Sequence, residues 1–136
     1  MYKIGVLPLN GFALMSYASL VEPFRAANFL SEKKYYKVIN FSESKEGTVS
    51  SSGLKILGDY YIGDTPELDI FFVIAGGDPF KYNNKNLYHW INKLAQNGVT
   101  IGGVSGGPII LVKAGLMKEH RTVSYTHLTL PTKRIV

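Results

Sequence analysis

The chain has 136 residues, 46% hydrophobic and 18% charged, the balance of a single globular domain with a buried core. It contains no cysteine, which excludes disulfides, thiolate metal sites and a cysteine nucleophile. The net charge of +5 and pI near 9.4 raise nucleic acid as a partner, but the lysines are scattered. Lys33, Lys34 and Lys37 are read as the end of a helix, where cations suit the dipole.

Residues 2–9, "YKIGVLPL", read as a first strand that ends at Pro8 and the Asn10-Gly11 turn, and not as a signal peptide. Apolar residues then recur with helical spacing from Leu14 to Leu30, and Pro23 inside that run is expected to kink the helix or start a new one. A second strand is expected over 35–42, a loop or weak hairpin over 43–53, and a strand within 54–62. The continuous apolar run "LDIFFVIAGG" (68–77) reads as a strand buried on both faces. Residues 84–98 predict a helix with Leu87, Trp90, Ile91 and Leu94 on one face and Gly98 as its stop. "VTIGGV" (99–104) predicts another buried strand, and Gly106 to Met117 the helix after it. This alternation implies an α/β, doubly wound, mostly parallel sheet, with ligands beyond the carboxyl ends of its strands.

Two glycine-rich strand ends are the candidate sites: Gly76-Gly77 and Ser105-Gly106-Gly107. The stretch "GGVSGGP" (102–108) contains G-x-S-x-G, the pattern of a nucleophile elbow between strand and helix. A serine hydroxyl needs a base oriented by an acid, yet Glu119 is the only carboxylate after Ser105 and His120 is its immediate neighbour. An N-cap or ligand contact is therefore the competing reading of Ser105. Gly76 and Gly77 either present N–H groups to an anion or simply turn the chain. Glu22 reads as a pocket carboxylate or an exposed helical glutamate, and Phe80 and Tyr82 as pocket aromatics. His89, His120 and His127 lack metal-ligand spacing, so no metal and no cofactor are expected. No apolar run reaches the roughly 18 residues of a membrane span, and a cytoplasmic protein is the expectation.

The blocks "FALMSYASLVEPFRAANFLS", "FFVIAGGDP" and "TIGGVSGGPIILVKAGLMKEHRTV" resemble the PfpI-like, class I glutamine amidotransferase-like superfamily. The branch they look most like is the N-terminal sensor domain of AraC-type transcriptional regulators. The resemblance implies a flavodoxin-like domain with helices on both faces and a pocket at the elbow. It also implies a homodimer, a small polar or nitrogenous metabolite such as a quaternary amine as ligand, and DNA bound only through a further C-terminal domain. Enzymes of the superfamily place a cysteine where this chain has Ser105, often a histidine where it has Gly106, and an acid where it has Ser19. Gly77 and Gly106 match their oxyanion donors. The resemblance thus implies a non-catalytic sensing pocket built from Ser105, Gly106, Gly77, Gly76 and Ser19; the alternative is a hydrolase, hydratase or amidase using Ser105. It covers residues 3 to 123. The remainder, 124–136, looks like translated sequencing-adapter read-through, and the expected domain is a truncated one over 1–123.

Overall fold

The computed structural model describes residues 1–121. The expected domain boundary near Val123, the final segment 124–136 and His127 lie outside the described residues. Five parallel strands form the central sheet in the order β5-β2-β1-β6-β7. They are β1 (Tyr2–Pro8), β2 (Tyr36–Ser42), β5 (Tyr60–Tyr61), β6 (Ile70–Ala75) and β7 (Thr100–Ser105). Within the region 43–53, expected to be a loop or weak hairpin, β3 (Thr48–Val49) pairs antiparallel with β4 (Lys55–Ile56), which lies in the segment 54–62 expected to hold a strand.

Alternation along each strand divides the core between the two faces of the sheet. Ile4 and Val6 of β1, with Ile74 of β6, face helix α1 (Leu14–Leu30) and its Leu14, Tyr17, Leu20, Val21 and Phe24. Leu7, Phe41, Phe71 and Val73 face the other way, toward α2 (Lys85–Gln96) and α3 (Gly107–Lys113). The fold is therefore the flavodoxin-like α/β sandwich, with helices on both faces.

The order of the sheet places a topological switch between β1 and β6. From β1 the chain moves outward to β2 through α1, and in the opposite direction to β6 and β7, with α2 on the other face. Loops diverge to opposite faces at such a point and leave a crevice beyond the strands' carboxyl ends.

Three local expectations change. Pro23 lies within a single helix, Leu14–Leu30, and starts no new one. That helix has no basic residue in its last turn; Lys33 and Lys34 follow its end and Lys37 lies in β2. The chain leaves the helix after Leu30, where Ser31 Oγ donates to Ala27 O at 2.6 Å, Glu32 takes φ +55°, and Asn28 Oδ1 accepts from the amides of Tyr35 and Tyr36. Helix α3 stops at Lys113, four residues short of the expected Met117, where the chain passes into turns. Helix α2 matches its reading closely: Asn84 caps it by accepting from Leu87 N at 3.1 Å, and the four expected apolar residues are buried.

Candidate functional site

The elbow is assembled by backbone contacts that only glycine permits. Gly107 opens α3 directly against β6, and a Cβ there would lie 2.2 Å from Val73 O. At Gly106 a Cβ would meet Ala75 O and Pro79 Cγ, each at 3.0 Å. With helix and strand pressed this close, the turn between them is sharp. Ser105 carries the strain, at φ +58°, in the left-handed region that L residues avoid.

This geometry corrects the cap reading of Ser105. The N-cap of α3 is Gly106, with no side-chain cap bond, and Ser105 is the last residue of β7. The competing role, contact with a ligand, fits its position. A cavity of about 630 Å³ is lined by Ser105 and Val104 on one side, and by Ala13, Met15, Ser16, Ser19 and Leu20 on the other. Ser19 and Ser105, 86 positions apart, therefore share one cavity, because α1 packs on the sheet face toward which Val104 points. Ser16 and Met15 were not singled out from sequence. Ser16 lies one turn before Ser19, so the helical period that groups apolar residues would also have grouped these two hydroxyls.

The glycines stand outside that lining. Gly106 donates its N–H to Ala75 O at 2.8 Å, which engages the amide that resembled an oxyanion donor. Gly76 backs onto the β1–α1 loop, where a Cβ would lie 2.6 Å from Gly11 O. Gly77 turns the chain at φ +60° with open space around its Cα.

Phe80 and Tyr82 are drawn into a brace and do not line the cavity. Lys113 Nζ on α3 donates to the carbonyls of both, Tyr82 Oη donates to Glu43 Oε1 at 2.8 Å, and Asn10 Nδ2 donates to the same carboxylate. Burial, and then the Glu43 carboxylate, push the Tyr82 phenol well above its ordinary value, so it stays a donor. The loops after β1, β2 and β6 are thereby tied together around the switch point. Glu22 is the exposed glutamate of its two readings, paired with Arg25.

The strain at Ser105 has a measurable consequence. Ser105→Gly and Ser105→Ala both remove the hydroxyl, but only glycine accepts positive φ without penalty. The glycine variant is expected to be about 1 kcal/mol more stable than the alanine variant in urea unfolding.

A parallel α/β sandwich with a sharp strand-to-helix elbow beside a cavity defines a class of domain used by enzymes and binding modules alike. The chain belongs to the DJ-1/PfpI family, whose model matches residues 3–134. It is 35% identical over 127 residues to the HTH-type transcriptional regulator GlxA of Rhizobium meliloti, covering 92% of this chain and 39% of the regulator. It is 34% identical over 116 residues to the HTH-type transcriptional regulator CdhR of Pseudomonas aeruginosa, covering 85% of this chain and 34% of that protein. Among solved structures, an AraC family transcriptional regulator from Pseudomonas putida superposes with a TM-score of 0.78 at 22% identity, covering 93% of this chain and 68% of that one. The chain thus spans little more than a third of the curated regulators it matches. Among the described residues no helix is long and apolar enough to cross a membrane.

Proposed function

We propose that this domain is the non-catalytic, small-molecule-sensing part of an AraC-type transcriptional regulator, acting in the cytoplasm. The observation that carries the reading is the meeting of Ser19 and Ser105 in one cavity at the elbow. These are the two positions where the resemblance expects an acid and a thiol, and a serine pair lacks both the general base and the ionisable nucleophile. Support comes from two relatives named as HTH-type regulators. In this reading Ser19 and Ser105 touch the ligand, while Gly76, Gly77 and Gly106 hold the elbow in shape. DNA is bound through a helix-turn-helix part of a longer parent, which acts as a homodimer.

Thermal denaturation against a panel of small polar and nitrogenous metabolites tests this. A true ligand at a hundred times its Kd is expected to stabilise the fold by about 2.7 kcal/mol. A panel that leaves the melting temperature unmoved would count against sensing.

The positive φ of Ser105 favours a second reading, a hydrolase, hydratase or amidase using Ser105, since a strained elbow is how a nucleophile is exposed. A fluorophosphonate adduct on Ser105, absent in Ser105→Ala, would establish it over the first.

A further inference from the structure

Asparagine precedes glycine at two places in this chain, Asn10-Gly11 after β1 and Asn97-Gly98 after α2. Asparagine is a thermolabile residue, and the reaction that degrades it is intramolecular. The main-chain nitrogen of the next residue attacks the carbon of the side-chain carboxamide. A glycine in that place leaves the nitrogen unhindered and the backbone free to turn. The two dipeptides are chemically alike, so the fold decides between them.

Exposure does not separate them, since both asparagines are exposed. Their hydrogen bonds do. Asn10 is held at both ends of its carboxamide: Nδ2 donates to Glu43, and Oδ1 accepts from Val49 N at 2.8 Å. Gly11 N, the nitrogen that would attack, donates to Val49 O at 2.8 Å. Cyclisation there would break all of these bonds, which run to two other segments, and would take one donor from the carboxylate that Tyr82 also holds. Asn97 is the C-cap of α2, and its bonds to Lys93 O at 3.0 Å and Leu94 O at 3.2 Å are made by its main-chain N–H. Gly98 N donates to Ala95 O at 3.0 Å within the same helix end, and a Cβ at Gly98 would meet nothing within 4 Å. Helix ends fray, so this bond is among the first to open.

We propose that Asn97 is a site of spontaneous deamidation, while the fold protects Asn10. A solvent base removes the Gly98 N–H proton, the nitrogen bonds to Asn97 Cγ, and the Cγ–Nδ2 bond breaks as ammonia leaves. Water then opens the cyclic imide. Hydrolysis at Cγ gives aspartate, and hydrolysis at the main-chain carbonyl gives isoaspartate. Either product sets a carboxylate at the C-terminal end of α2, where the helix dipole disfavours it. Isoaspartate also lengthens the main chain between α2 and β7, the strand that ends at Ser105. The cavity beside Ser105 takes no part in this chemistry, so the outcome does not depend on what the domain senses.

The test is to incubate the whole chain at mildly alkaline pH, natively and in urea, and to follow the mass gain of its tryptic peptides. Cleavage after Lys3 and Arg25 isolates Asn10, and cleavage after Lys93 and Lys113 isolates Asn97. In the native chain Asn97 is expected to convert at least about tenfold faster than Asn10, a difference of roughly 1.4 kcal/mol. In urea the two rates are expected to converge. Native conversion at Asn97 no faster than at Asn10 would overturn the proposal. An Asn97 that keeps its full lead in urea would overturn the protection of Asn10 by the fold.

Discussion

Gly107→Ala is expected to lower the melting temperature by roughly 10 °C, through a loss of about 3 kcal/mol. The added Cβ would sit 2.2 Å from Val73 O, a main-chain atom, and its position is fixed by the Gly107 backbone. No rotamer change relieves such a contact, so the helix must back away from the sheet. Gly53→Ala serves as the control. Gly53 has φ +89° with nothing within 4 Å of an added methyl, so its alanine variant suffers only the conformational penalty, about 1 kcal/mol. Circular dichroism melts of the two variants separate close approach from backbone strain. If Gly107→Ala melts like Gly53→Ala, the tight seating of α3 on β6 is wrong. Because α3 starts at the elbow, the Gly107 variant is also expected to relax the turn that strains Ser105.

Trp90→Ala is expected to cost about 4 kcal/mol and to shift the urea midpoint more than any surface substitution. Trp90 is 4% exposed and lies against Phe41 and Phe71, with ring centroids at 5.6 and 5.1 Å. Its indole N–H donates to Asp64 O at 3.0 Å, which ties the loop after β5 to α2. Truncation therefore opens a cavity beside the rings of Phe41 and Phe71 and strands a carbonyl. Trp90→Phe refills most of the cavity but cannot donate, and is expected to lose about 1–2 kcal/mol. Equal losses in the two variants would mean that the hydrogen bond, and not the aromatic packing, carries the stability of this face.

The legibility of the chain followed the strength of its periodicity. The run 68–77 and the amphipathic segment 84–98 announced β6 and α2, because continuous burial and a single apolar stripe leave few alternatives. Of the strands of two residues, β3 gave no such pattern, and the one strand expected within 54–62 is two, β4 and β5. Their pairing depends on contacts made across the fold, such as Gly11 N with Val49 O at 2.8 Å. The lysines after Leu30 were misplaced for a related reason. A helix end is set by local side-chain bonds from Ser31 and Asn28, which charge patterning does not reveal.

By itself, the sequence determined the α/β class, the positions of the glycine-rich strand ends and the serine residues at both candidate positions. Those properties depend on residue type and near-neighbour spacing. Only the tertiary structure decided that Ser105 ends a strand in a strained conformation and does not cap α3. It also decided that Gly106 has its amide engaged by Ala75, that Phe80 and Tyr82 belong to a brace, and that Ser16 joins Ser19 and Ser105 around one cavity. The physical reason is that a pocket is a relation between segments. Residues 13–20 and 104–105 meet because α1 is pressed onto one particular face of one particular strand order, and no local pattern encodes that order.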